Sequence, residues 1–133
     1  MSAEQPRSEK TGTARTIVLI IEDERSIASF VAEVVDDAGY LPVVAMNGLE
    51  ALERAREHWP NLVITDLMMP RLDGAGVVRA LRLEAATRSY AMPPVILMTA
   101  ADLHYARATG ADALLRKPFD LTDLDALLHR FLG

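Results

Sequence analysis

From Thr16 onward the chain alternates between two hydrophobic periods. "TIVLII" (Thr16 to Ile21) is a short apolar run, the pattern of a central parallel strand covered on both faces. After it, Ile27, Phe30, Val31, Val34, Val35 and Ala38 recur at helical spacing, and Gly39 supplies a C-terminal stop. "LPVVAM" predicts a second strand, and Pro42 near its start assigns that strand to a sheet edge. Asn47 reads as the N-cap of a helix that runs to about His58 and is ended by Trp59-Pro60. "NLVIT" is the third strand, and Asp73 caps a helix bearing Val77, Val78 and Leu81. "PPVILMT" is the fourth strand, followed by a short helix from about Asp102 to Thr109. "DALLR" is a fifth, weaker strand, and the last helix carries Leu121, Leu124, Leu127, Leu128 and Phe131 on one stripe. Five strand signals alternating with five helix signals predict an α/β fold, a parallel sheet between helices on both faces.

In such a fold ligands gather beyond the carboxyl ends of the strands. Strand one ends in Glu22-Asp23-Glu24, strand three in Asp66, strand four in Thr99-Ala100 and strand five in Lys117-Pro118. Asp66 is the sharpest case, because a β-branched run stops there and enters Met68-Met69-Pro70 and the turn at Asp73-Gly74. A carboxylate at the edge of an apolar strand costs free energy unless something compensates it. Acids, a hydroxyl and an amine converging on one sheet edge are not explained by packing. Hard oxygen donors, with no cysteine or nearby histidine, make magnesium the natural cation. Glu24 reads instead as a charge favouring the helix dipole, and Asp73-Gly74 as a helix start. "DGAGVVRA" has the look of a dinucleotide loop, but Arg79 occupies the place of the third small residue and no strand directly precedes it.

Composition narrows the classes further. A chain of 133 residues suits one domain, and a formal net charge of -5 argues against direct contact with nucleic acid. The absence of cysteine excludes disulfides, thiolate zinc sites and cysteine nucleophiles, and suits the cytoplasm. No segment approaches the roughly 18 apolar residues of a membrane span. Residues 1–15, "MSAEQPRSEKTGTAR", lack the apolar core of a secretory signal and read as a disordered tail ahead of a domain over 16–133. His58, His104 and His129 have no metal spacing and read as surface residues.

"VLIIEDE", "DLMMPRLDG", "PVILMTA" and "LLRKPF", in this order, resemble the receiver domain of two-component response regulators, over about Thr16 to Leu132. The resemblance implies a flavodoxin-like, doubly wound five-stranded sheet and transfer of a phosphoryl group from a histidine kinase or phosphotransfer protein. It implies that Asp66 is the phospho-acceptor and that Asp23, Asp66 and the backbone carbonyl of Met68 ligate magnesium directly. Glu22, where the family usually has Asp, would hold the metal through water. Thr99 would donate its hydroxyl to the phosphoryl group and Lys117 would pair with a phosphoryl oxygen, with a cis bond before Pro118 aiming the lysine inward. The role implied is that of a phospho-acceptor signalling domain which assists its own phosphorylation and dephosphorylation, and is not otherwise an enzyme.

Two departures from the family pattern are visible. Leu114 stands where receivers usually carry a switching Tyr or Phe, and the segment from Thr99 to Lys117 is about one helical turn short. The fourth helix is therefore expected to be short, displaced or partly disordered, and the output route atypical. Met68 and Ala101 offer no polar side chain to orient attacking water, which predicts a long-lived acyl phosphate. A stand-alone receiver is preferred to the N-terminal part of a longer, DNA-binding regulator. A phosphate-independent pseudo-receiver is the alternative, but it would be expected to have lost an acid, the threonine or the lysine. A phosphatase of the haloacid dehalogenase type would want an aspartate two positions beyond Asp66, where Met68 stands. Kinase, output partner, pathway and oligomeric state, including a homodimer, are left open by the sequence.

Overall fold

A computed structural model describes residues 15–69, 72–100 and 103–133. Among them β1 (Ile17–Ile21), α1 (Arg25–Asp37), β2 (Leu41–Ala45), α2 (Gly48–Glu57), β3 (Leu62–Asp66), α3 (Gly74–Arg88), β4 (Val95–Thr99), α4 (Leu103–Ala108), β5 (Ala113–Arg116) and α5 (Leu121–Leu132) alternate strictly. The strands form one parallel sheet in the order β2-β1-β3-β4-β5, the doubly wound arrangement that the family resemblance implies. The all-apolar run of β1 lies inside the sheet and Pro42 lies on its β2 edge, as expected from their patterns. Of residues 1–15 only Arg15 is described, and its guanidinium donates to the Tyr40 carbonyl at 3.0 Å.

Alternation along the strands divides the interior into layers. Val18, Ile20, Leu62, Ile64, Ile96, Met98 and Leu115 face α1 and α5. Leu19, Ile21, Val63 and Val95 face α2 and α3, while Leu67 and Leu97 meet Ala106 of α4. The local signals explain the helix ends. Asn47 accepts from the Glu50 amide and Asp73 from the Gly76 amide, each at 2.9 Å. α1 stops because Gly39 takes φ +98°, letting its amide reach Asp36 O and the Tyr40 amide reach Val35 O. α5 opens on a capping box between Asp120 and Asp123.

One small difference from the sequence reading has a simple cause. β3 continues through Asp66, because the ladder pairs Asp66 with Met98, so the acid belongs to the strand and not to the loop. Glu24 takes the extended conformation of an N-cap but makes no side-chain bond to the helix amides. α4 has six residues, as short as the gap between Thr99 and Lys117 demands. Leu114 is half-buried beside Leu67, Leu97 and Ala106.

α2 and α3 are also tied by charge, since Glu84 accepts from Arg56 Nε at 2.7 Å and Arg88 Nε at 3.2 Å. The Arg56 hydrogen bond, with both guanidinium charges, holds the Glu84 carboxyl below its ordinary value. A carboxyl depressed in the folded state stabilises above its unfolded pKa and loses that effect as pH falls through the folded one. Glu84→Gln is therefore expected to lower the urea midpoint modestly at neutral pH. The difference from wild type should shrink as pH falls below the ordinary glutamate value of about 4.3. A midpoint difference independent of pH would show that the pair contributes through shape alone.

Candidate functional site

The sheet register builds the site. β1 pairs Ile21 with Thr65, so Glu22 and Asp66 each stand one position further on, on the same side of the sheet. β5 pairs Arg116 with Thr99, and the next residue, Lys117, has its amide held by Thr99 O at 2.9 Å. The Lys117-Pro118 bond is cis, as the sequence reading expects. The result is a compact constellation in which Lys117 Nζ lies 2.9 Å from Glu22 Oε1 and 3.2 Å from Asp66 Oδ1. The Glu24 amide donates to the other Glu22 oxygen at 3.1 Å.

Burial decides the electrostatics. Glu22 is 1% exposed and Asp66 7%, while Asp23 is exposed. Burial raises the Glu22 carboxyl above its ordinary value, and the Lys117 hydrogen bond only partly offsets this. Burial likewise raises Asp66, against the opposing charge of Lys117. Burial would lower Lys117, but the Glu22 hydrogen bond and the charge of Asp66 outweigh it and the ammonium is held more firmly. One ammonium thus faces two buried acids, with a third, Asp23, at the rim.

Carboxylate oxygens of Glu22, Asp23 and Asp66 lie within 4.8 Å of one another. Hard oxygen donors gathered this closely, in excess of the local positive charge, fit a small divalent cation such as magnesium. Thr99 closes β4 at the same edge and is buried. Met68 follows in the loop with its side chain exposed. His58, His104 and His129 are exposed. Pro70, Ala101, from which a long-lived acyl phosphate is expected, and Asp102, the expected start of the fourth helix, lie outside the described residues.

Sequence reasoning overlooked Thr65. Its side chain is fully buried and its hydroxyl donates to the Asp66 carbonyl at 3.0 Å. A threonine in "NLVIT" signals a strand, and nothing in the pattern marks this one as more than a strand former. Gly74 was legible only as a helix start. A Cβ there would lie 2.6 Å from Asp66 O and 3.0 Å from Leu67 Cα, so only glycine lets α3 approach the acid this closely.

A doubly wound sheet with buried acids and a lysine at its carboxyl edge defines an α/β domain with an acidic strand-end site, and comparison with known proteins gives the family. The model of the response regulator receiver domain matches residues 18–129. The chain is 36% identical over 121 residues to response regulator Rre1 of Synechocystis sp., covering 87% of this chain and 51% of that protein. It is 31% identical over 119 residues to the alkaline phosphatase synthesis transcriptional regulatory protein PhoP of Bacillus subtilis, covering 86% and 48%. The chemotaxis protein CheY4 of Vibrio cholerae matches with a TM-score of 0.79 at 31% identity, over 90% of this chain and 100% of that one. The chain belongs to the response regulator receiver domain family, and a phosphoryl-accepting signalling role fits it. It spans about half the length of the curated relatives it matches. No described helix is long and apolar enough to cross a membrane.

Proposed function

We propose that Asp66 accepts a phosphoryl group from a histidine kinase or a histidine phosphotransfer protein in the cytoplasm, and that the loaded domain signals by contact with an output protein. The observation that carries this reading is Lys117 Nζ held between Glu22 and Asp66 at 2.9 and 3.2 Å. The ammonium favours the ionised, nucleophilic form of a carboxylate that burial pushes the other way. An Asp66 carboxylate oxygen attacks phosphorus, the P–N bond to the donor imidazole breaks, and its electron pair leaves with the nitrogen. The product is an acyl phosphate on Asp66. Lys117 then pairs with a phosphoryl oxygen, and the Thr99 hydroxyl donates to another.

Asp23, Asp66 and the Met68 carbonyl would hold magnesium directly, with Glu22 acting through water. When bound, the ion supplies positive charge that offsets the acids and the incoming phosphoryl oxygens. Glu22 meanwhile anchors Lys117, its buried carboxylate giving the long side chain one resting position beside the acceptor. Leu114 is no aromatic switch, so we read the Leu67, Leu97, Ala106 and Leu114 cluster as the start of the output route.

The test is intact mass after incubation with acetyl phosphate and magnesium. Wild type is expected to gain one phosphoryl group per chain, dependent on magnesium, and Asp66→Asn none. No gain with acetyl phosphate, together with no binding of beryllofluoride, would overturn the reading in favour of a phosphate-independent interaction module.

A further inference from the structure

We propose that Thr65 is a positioning residue for the acceptor: its hydroxyl fixes the Asp66–Leu67 peptide, and through it the carboxylate that receives the phosphoryl group. The proposal rests on the reading of Asp66 as the acceptor. Thr65 occupies a place that asks for an aliphatic side chain. Its register partners are Ile21 and Leu97, and the preceding strand residues Leu62, Val63 and Ile64 are all fully buried. Valine would fill the same space without taking a hydroxyl out of water, which costs free energy unless the group is hydrogen-bonded. The Thr65 hydroxyl donates to the Asp66 carbonyl oxygen at 3.0 Å.

That carbonyl and the Leu67 amide belong to one planar peptide unit, so restraining either end orients both. The Leu67 N–H donates to Met98 O at 3.0 Å, which ties the same peptide to β4. A hydrogen bond received at the carbonyl polarises the unit and strengthens its N–H as a donor. Gly74 closes the third side, its amide donating to Leu67 O at 2.9 Å while its bare Cα lies against the Asp66 carbonyl. By strand alternation Thr65 shares the α2 and α3 side of the sheet with Val63, whereas Asp66 shares the opposite side with Ile64. The hydroxyl therefore acts from behind the site, through the peptide, and touches no reacting atom.

The test compares wild type, Thr65→Val and Thr65→Ser as full chains. Phosphoryl gain is followed by intact mass at several acetyl phosphate concentrations with magnesium, and the Leu67 amide by proton–nitrogen correlation spectra. Thr65→Val is expected to lower the maximal rate about tenfold, with the half-saturating acetyl phosphate concentration unchanged. Its Leu67 amide proton should move upfield. Thr65→Ser, which keeps the hydroxyl, should restore both. A valine variant that reacts at the wild-type rate with its Leu67 amide unmoved overturns the proposal while leaving the acceptor reading intact. So do valine and serine variants that are equally slow, since packing would then be the cause. A wild type that gains no phosphoryl group removes the acceptor reading, and this proposal with it.

Discussion

Lys117→Met is expected to cost the magnesium-free protein about 3 kcal/mol of stability, a drop of about 10 °C in melting temperature. The ammonium lies 2.9 Å from Glu22 and 3.2 Å from Asp66, and methionine keeps the length of the side chain while removing its charge. Two buried carboxylates are then left facing each other and Asp23 with no cation among them. The loss comes from the stranded acids more than from the bond itself, since an unpaired buried charge costs more than a buried pair contributes. Two controls separate the causes. Asp66→Asn in the Lys117→Met background should recover part of the stability by removing one of the stranded charges. Magnesium should recover more in the lysine variant than in wild type, because a ligand that binds only the folded form stabilises it by mass action. Thermal melts with and without chelator decide the matter. An unchanged melting temperature would show that water already solvates these acids.

Gly74→Ala is the second large effect, and its origin is steric. The added Cβ would sit 2.6 Å from the backbone oxygen of Asp66, and backbone cannot step aside as the end of a flexible side chain can. Either α3 retreats or the Asp66–Leu67 peptide turns. The expected cost is about 2 kcal/mol, with phosphoryl uptake slowed by more than about tenfold, because the peptide that turns is the one carrying the proposed acceptor. Gly39→Ala is the matched control. Gly39 is strained for alanine by its φ of +98°, yet a Cβ there meets nothing within 4 Å. It should cost about 1 kcal/mol and leave uptake unchanged. Denaturant midpoints and mass time courses on the two variants give the comparison, and equal slowing in both would mean that lost stability explains everything.

The contrast between these two glycines also indicates what a sequence can disclose. Gly39 follows a helical stripe and precedes a strand, so its role is local and can be read from its neighbours. Asn47, Asp73 and Pro42 are legible for the same reason, since caps and edge strands depend on a few adjacent residues. The gathering of Glu22, Asp66, Thr99 and Lys117 at one edge follows from strand ends in a parallel sheet, and so is open to inference from the sequence alone. How Glu22 and Lys117 pair is not, because residues 95 positions apart meet only once the register is set. Thr65 was hidden more deeply. Its hydroxyl matters through the orientation of one peptide, and strand propensity gives the same signal for threonine and valine. The close approach of Gly74 depends on the path of the loop that returns to β3, which no periodicity encodes.

Pro42 has a consequence beyond marking an edge. The Leu41 amide donates to Thr16 O and the Ala45 carbonyl accepts from the Glu22 amide, so these alternate residues of β2 turn inward to β1. Pro42 therefore faces outward, at the place where a passing strand would look for an N–H, and a proline has none. An incoming chain would find the ladder broken at its second rung. The other rim of the sheet is β5, only four residues long. A fold whose parallel core exposes two open rims is thus guarded against edge-to-edge growth into aggregates, by a missing hydrogen on one side and by brevity on the other.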